Sequence, residues 1–157
     1  MADKPTLYLE STIPSYLTAR PSRDVVVLAH QEITREWWKR YIDRYEVYVS
    51  EVVFSEVARG DPGAARLRVE TIQGFPVLQV TEDIRELARV YLREIPLPSQ
   101  GLADAMHLAL AAWNEMDYVL TWNCRHIAGG RVKRRLAEIN PILELRTPTI
   151  CTPEELL

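Results

Sequence analysis

The feature that most constrains the fold is the alternation of short β-type runs with helical stretches along the chain. The runs that predict strands are 6–10, 46–50, 76–80, 117–121 and 148–151. The stretches that predict helices are 13–20, 25–44, 51–60, 62–72, 82–94, 101–115 and roughly 124–139. Strands that alternate with helices favour a mostly parallel sheet covered on both faces. The chain is therefore expected to be an α/β protein.

The 157 residues fit one domain, and no repeat, low-complexity segment or linker divides residues 1–157. No apolar run approaches the roughly 18 residues of a membrane span. The N-terminal segment lacks a secretory h-region, so we expect a cytoplasmic protein with no membrane partner. Cys124 and Cys151 form no CxxC pair and are expected to be reduced thiols.

The segment GLADAMHLALAAW (101–113) places one carboxylate in an almost wholly apolar helix. From Leu102 to Trp113 only Asp104 and His107 are polar. A helix that is apolar nearly all round should be buried, and an unpaired buried charge is costly. Asp104 either stabilises the helix start through the helix dipole or coordinates a cation.

Further oxygen-bearing side chains lie where the predicted strands end. Glu10 ends the first strand, Glu56 lies on the helix after the second strand, and Asn123 follows the fourth. Ligands bind parallel sheets at the carboxyl ends of their strands, and oxygen ligands suit Mg²⁺ or Mn²⁺. Such an ion can activate water and stabilise charge on a phosphodiester. From composition and spacing alone, a lone acid at a strand end and a solvated helix residue remain open alternatives for Glu10 and Glu56.

In these residues the sequence resembles a PIN domain, the nuclease fold of VapC-type toxins, over nearly the whole chain. The pattern has an acid after the first strand with a hydroxyl two residues later, an acid after the second strand, an acid that opens a helix, and TxD after the fourth strand. The corresponding segments here are YLEST with Glu10 and Thr12, SEVVFSEVARGD with Glu56, ADAMHLA with Asp104, and TWN with Thr121 and Asn123.

The resemblance implies a three-layer α/β/α sandwich with a central, mostly parallel five-stranded sheet. It implies an endoribonuclease that uses Mg²⁺ or Mn²⁺ to cleave single-stranded RNA, with a small antitoxin protein as partner and a homodimer as the assembly. The implied catalytic and metal-binding residues are Glu10, Glu56, Asp104 and Asn123, with Thr12 and Thr121 as polar helpers.

Two positions depart from the family pattern. Glu10 stands where the pattern has Asp, which adds about 1.5 Å of reach. Asn123 stands in place of the fourth acid and lacks its negative charge. A catalytically weakened PIN-fold module that binds RNA or a partner is therefore the alternative. A phospho-accepting receiver-like domain is a third hypothesis, although its first strand would need Asp rather than Glu10.

Basic residues are concentrated near the C-terminal end, with six Lys or Arg against two Glu from Arg125 to Arg146. Arg131, Arg134 and Arg135 share one face of the predicted helix. Together with Arg125 they could guide an RNA backbone toward the acids, or they could form an ordinary solvated surface.

Three aromatic or imidazole side chains near the acids have alternative roles. His107 could bind a transition metal or be a hydrogen-bonded histidine of the core or the site. His126 could contact phosphate or donate a proton, or it could lie on a surface loop. Trp122 could stack on a base or pack against the protein.

Overall fold

In the part of the chain that the structure describes, five strands form one wholly parallel sheet in the order β3-β2-β1-β4-β5. The structure is a computed structural model that describes residues 2–157. The strands are β1 (Thr6–Leu9), β2 (Glu46–Ser50), β3 (Val77–Leu78), β4 (Tyr118–Leu120) and β5 (Thr149–Cys151). The predicted α/β sandwich around a five-stranded parallel sheet is confirmed.

In residues 2–157, seven α-helices connect and cover the strands. They are α1 (Thr12–Thr18), α2 (Val25–Arg40), α3 (Glu51–Val57), α4 (Pro62–Ile72), α5 (Glu82–Glu94), α6 (Leu102–Trp113) and α7 (Gly130–Ile142). Four begin with a side chain that accepts a hydrogen bond from the third helical N–H: Asp24, Ser50, Asp61 and Thr81. These N-caps satisfy N–H groups that have no partner within the helix. Short 3₁₀ turns cover Ile42–Arg44 and Pro153–Leu156.

Some predicted boundaries were wrong. The helix predicted from 124 begins at Gly130, because the chain first makes a turn in which Ala128 N–H donates to the Asn123 carbonyl (2.9 Å). The third strand shortens to Val77–Leu78, since this edge strand pairs with β2 through two residues only. The predicted helix 25–44 ends at Arg40, where a 3₁₀ turn follows.

The hydrophobic core lies on both faces of the sheet. Leu7, Tyr8 and Leu9 of the central strand β1 are fully buried, as expected for a strand covered on both sides. Helix α6 is also deeply buried, with seven of its residues in the interior. None of the helices in residues 2–157 is long and apolar enough to cross a membrane.

The topology brings the carboxyl ends of β1 and β4 side by side. The N–H of Glu10, directly after β1, donates to the carbonyl of Leu120, the last residue of β4 (3.1 Å). Helix α3 starts directly at the end of β2, and β2 is paired with β1 in the sheet. Side chains that follow these three strands therefore share one edge of the sheet.

Candidate active site

Glu10 is almost completely buried, with 3% of its surface exposed, and it is surrounded by hydrogen-bond donors. Its Oε2 accepts from the backbone N–H of Thr12 (3.0 Å), the Thr12 hydroxyl (2.6 Å) and the Thr121 hydroxyl (2.8 Å). Hydrogen bonds to an ionised carboxylate are stronger than those between neutral groups, so these donors offset the cost of burial. Thr12 and Thr121, predicted as polar helpers, therefore both orient Glu10.

Thr12 and Thr121 also connect the ends of β1 and β4. The Thr12 hydroxyl accepts from the Trp122 N–H (2.9 Å), and the Thr121 hydroxyl accepts from the Asn123 N–H (3.0 Å). Each hydroxyl thus donates to Glu10 while it accepts from the chain after β4. The position of Glu10 is coupled in this way to the position of Asn123.

Glu56 approaches Glu10 through Ser11. The Ser11 hydroxyl lies 3.2 Å from Oε1 of Glu10 and 3.1 Å from Oε1 of Glu56, so one proton is shared between two carboxylates. The same Glu56 oxygen contacts Nε2 of His107. Burial alone would raise the pKa of Glu56, but hydrogen bonds from His107 and Ser11 and the charge of Arg59 lower it below its usual value. Glu56 is therefore held as a carboxylate.

His107 is 1% exposed, and it contacts Glu56 from the interior of the protein. Its Nδ1 is 2.6 Å from the Tyr8 hydroxyl. Burial lowers the pKa of His107, yet its hydrogen bond to Glu56 and the charges of Glu10, Glu56 and Asp104 outweigh burial and raise it. All three predicted carboxylates therefore act on one imidazole. Of the two roles left open for His107, the structure favours the hydrogen-bonded histidine next to the site.

Asp104 lies in the first turn of α6, with 17% of its side chain exposed. Its Oδ1 accepts from Nδ2 of Asn123 (3.3 Å), and its Oδ2 lies 3.0 Å from Nδ1 of His126. Within residues 2–157, no N–H group at the start of α6 donates to this carboxylate. Asp104 thus faces the chain after β4 rather than capping its own helix.

Asn123 lies between Asp104 and the following turn. Its amide donates to Asp104, and its Oδ1 accepts from the His126 N–H (3.2 Å). The hydrogen bonds of Glu10, Ser11, Thr121 and Asn123 form a connected path from Glu56 to Asp104.

The side chains fit a hard cation by chemistry, although they do not form a preformed cage. In residues 2–157, no three His, Cys, Asp or Glu side chains are arranged as a metal-binding group. Mg²⁺ commonly retains several waters and binds proteins through one or two carboxylates, so it needs no such cage. Oε2 of Glu56 receives none of the protein hydrogen bonds in this range, which leaves one oxygen of this carboxylate available to a ligand.

The predicted basic surface is partly neutralised by neighbouring acids. Arg135 forms ion pairs with Glu94 on α5 (3.2 Å) and Glu138 (3.0 Å), and Arg134 lies 3.4 Å from Glu138. Arg125 and Arg131 are exposed, and within residues 2–157 no acid lies within ion-pair distance of either. These two arginines retain uncompensated charge.

Trp122 is a packing residue. It is 6% exposed, stacks on His30 with ring centroids 4.0 Å apart, and donates through Nε1 to Thr34 (2.7 Å). Its ring therefore packs against α2, and the alternative of stacking on a base finds no support in this structure.

Tyr8, Ser11 and Ser50 also belong to the site, although no sequence pattern predicted them there. Ser11 could have been found, because it stands next to Glu10 in YLEST. Ser50 has the pattern of an N-cap before α3, which points to structure rather than to the site. Nothing distinguishes Tyr8 from an ordinary core residue of a strand.

The fold and the site together define the class of this protein. It is an α/β protein whose parallel sheet is covered by helices and has carboxylates at the carboxyl ends of its strands. Residues 25–125 match the PIN domain family, and the chain belongs to that family. The matched range includes Glu56, Asp104 and Asn123, whereas Glu10 precedes it.

Two solved structures have the same fold. VapC20 of Mycobacterium tuberculosis, described as a sarcin–ricin loop cleaving toxin, superposes with a TM-score of 0.62 at 17% identity, over 81% of this chain and 97% of that one. VapBC2 of Rickettsia felis, bound to a DNA fragment from its promoter, superposes with a TM-score of 0.59 at 10% identity, over 94% and 98%. No curated protein sequence matches the chain.

Proposed function

We propose that this chain is a metal-dependent endoribonuclease that cleaves single-stranded RNA and acts as the toxin of a toxin–antitoxin pair. The observation that carries the proposal is the hydrogen-bonded path joining Glu10, Glu56 and Asp104 at one sheet edge, in a member of the PIN family. PIN nucleases generally use divalent metal ions, and the sarcin–ricin loop activity of VapC20 supports RNA as the substrate class.

Glu10, Glu56 and Asp104 would hold Mg²⁺ or Mn²⁺, with Asn123 as a neutral oxygen ligand. When bound, such an ion lowers the pKa of a water molecule and stabilises charge on the phosphodiester. The protein's own contribution is orientation: Thr12 and Thr121 hold one Glu10 oxygen, and Ser11 links Glu10 to Glu56.

The first test is cleavage of a mixed single-stranded RNA pool with Mn²⁺ or Mg²⁺, against EDTA. Asp104→Asn should abolish the EDTA-sensitive cleavage. Asp83→Asn is the matched control, because Asp83 is an exposed carboxylate in the first turn of another helix, α5. If Asp104→Asn cleaves as well as wild type, the assignment of Asp104 is wrong.

Exposed arginines are proposed to bind the RNA backbone. Arg125 and Arg131 carry uncompensated charge, whereas Arg134 and Arg135 share theirs with acids. We assign the main electrostatic contribution to the first pair and a smaller one to the second.

A small antitoxin and a second copy of the chain are the proposed protein partners. The Rickettsia felis VapBC2 structure supports an antitoxin. Co-expression with the product of the adjacent reading frame should yield a complex that no longer cleaves RNA. Light scattering on the isolated chain should give the mass of a dimer, and a monomer mass would exclude the proposed homodimer.

A binding module with little or no catalysis is the second candidate. It is favoured by the side chain of Asn123, which donates to Asp104 and whose oxygen already accepts from His126. This candidate predicts salt-sensitive RNA binding without turnover. Multiple-turnover cleavage that EDTA abolishes would exclude it.

A further inference from the structure

A chain of buried hydrogen bonds connects the N-terminus of α3 to Glu56 through the interior. The Ser50 hydroxyl accepts from the Val53 N–H (3.2 Å) and lies 2.8 Å from the Tyr8 hydroxyl. The Tyr8 hydroxyl lies 2.6 Å from Nδ1 of His107, whose Nε2 contacts Glu56. Ser50, Tyr8 and His107 are all buried, so these groups must find their partners within the protein.

The available donors and acceptors allow only one direction of donation along this chain of hydrogen bonds. Ser50 already accepts from Val53, and within residues 2–157 its own hydroxyl proton has only the Tyr8 oxygen as acceptor. Tyr8 then donates to Nδ1 of His107, and Nε2–H donates to Glu56. In the opposite direction the Ser50 proton would be buried without an acceptor, which is unfavourable.

We propose that His107 and Tyr8 are positioning residues: Tyr8 fixes the tautomer and orientation of His107, and the Nε2–H of His107 holds one oxygen of Glu56 so that the other faces the site. The inference rests on the proposed function in one respect, namely that Glu56 is a ligand of the metal ion. It assigns no contact between His107 and metal or RNA.

In metal sites, groups that do not touch the ion commonly hydrogen-bond to its ligands, and His107, itself held by Tyr8, stands in this relation to Glu56. Such partners orient the ligands, and their loss typically weakens metal affinity or activity 10–100-fold. Both hydrogen bonds to Glu56, from His107 and from Ser11, end on Oε1, so they orient the carboxylate without using Oε2. Tyr8, Glu56, His107 and Ser50 lie on β1, α3, α6 and the last position of β2, so four different elements contribute to this chain of hydrogen bonds.

The sequence offers a matched control for the loss of the Tyr8 hydroxyl. Tyr48 is paired with Tyr8 in the β1–β2 register, and its hydroxyl donates to Glu46 in an exposed hydrogen bond. Tyr8→Phe and Tyr48→Phe therefore each remove one tyrosine hydroxyl from neighbouring strands, and only the first acts on His107.

The experiment measures Mn²⁺ binding by electron paramagnetic resonance of unbound Mn²⁺, together with kcat and KM for RNA. Tyr8→Phe should weaken Mn²⁺ binding and lower kcat by about tenfold each, with little change in KM. His107→Ala should have a larger effect, and His107→Gln, which retains an N–H donor, should recover part of the loss. Tyr48→Phe should match wild type. Unchanged Mn²⁺ affinity and kcat in Tyr8→Phe and His107→Ala would overturn the proposal.

A second measurement uses the wild-type chain and does not depend on cleavage or on the folding of a variant. Long-range ¹H–¹⁵N correlation spectra of ¹⁵N-histidine-labelled protein report which ring nitrogen of His107 carries a proton. A proton on Nε2 together with an unprotonated Nδ1 is expected, and either an unprotonated Nε2 or a protonated Nδ1 would refute the proposed direction of these hydrogen bonds. If the wild type neither binds Mn²⁺ nor cleaves RNA, the proposed nuclease function fails, while this spectrum still decides the orientation of His107.

Discussion

Nδ2 of Asn123 lies 3.3 Å from Oδ1 of Asp104, so an amide donates to this carboxylate where the PIN pattern has a fourth acid. A carboxylate at the same place would face Asp104 without a shared proton, and the two charges would repel each other. The amide therefore removes a repulsion that a cation would otherwise have to relieve.

Asn123→Asp should consequently lower stability without metal and increase the response to metal. We expect a decrease in Tm of about 2–4 °C in EDTA, as for a loss of about 1 kcal/mol, and a larger rise with Mn²⁺ than in wild type. Thermal unfolding with and without Mn²⁺ measures both. Gln73→Glu, a charge change at an exposed position, is the control. Equal metal-induced shifts in Asn123→Asp and wild type would contradict the placement of Asn123 in the ion site.

The arginines of α7 should differ in their contribution to RNA binding. Arg131→Ala should weaken binding and reduce the magnitude of the slope of log K against log salt by about 0.7, the value for one contact with a single strand. Arg135→Ala should change this slope less, because its guanidinium is shared with Glu94 and Glu138. Fluorescence anisotropy with labelled RNA at several salt concentrations checks this. Equal slope changes would show that the ion pairs of Arg135 open on binding.

Asp117 lies directly before β4, at the end of the sheet opposite to the acids, and should make the stability of the protein depend on pH. Its Oδ2 accepts from the Thr6 N–H (2.8 Å) and hydroxyl (3.1 Å), and its Oδ1 pairs with Arg146 (3.1 Å). The Thr6 backbone hydrogen bond, the Thr6 hydroxyl and Arg146 together lower the pKa of Asp117 in the folded state. A depressed folded pKa contributes stability above the unfolded value of about 3.9, and that contribution is lost as pH falls through the folded value.

Asp117→Asn should therefore destabilise the protein at pH 7 by no more than about 1 kcal/mol, because the side chain is 35% exposed and solvent screens it. The difference from wild type should shrink as pH falls below about 4. Urea unfolding at pH 7 and pH 3 measures it, and an equal difference at both pH values would contradict the assignment.

The two cysteines should differ in reactivity. Cys124 is exposed, whereas Cys151 is buried in β5, and burial raises the pKa of Cys151 to about 12. A thiol-specific reagent at pH 8 should modify one thiol in the native protein and two after unfolding, since the thiolate is the reactive form. Cys124→Ser should remove the rapid native reaction. A rapid native reaction in that variant would mean that β5 opens readily.

Local patterns were sufficient to predict the order of the secondary elements. Hydrophobic runs depend on near neighbours in the chain, so strands and helices could be predicted without the fold. The turn at 124–129 was missed although the pair Gly129 and Gly130, which is typical of turns, marks its end. Its backbone hydrogen bonds, such as that from Ala128 N–H to the Asn123 carbonyl, are visible only in the structure. The placement of Glu10 and Glu56 near one edge followed from the rule that parallel strands end together. Asp104 lies instead in the first turn of α6, the helix that precedes β4.

The sequence by itself determined an α/β chain with carboxylates and hydroxyls where strands end, because these properties depend on local periodicity and on order along the chain. Only the tertiary structure decided which side chains orient them. Tyr8 meets His107 across 99 positions, and Glu94 pairs with Arg135 across 41. The first pair is selected by the packing of α6 and β1, where burial requires each polar group to be satisfied. The second pair is exposed and forms because α5 and α7 lie next to each other. A sequence pattern specifies the residues of a site, whereas packing specifies their hydrogen bonds and which of their charges are left without an ion-pair partner.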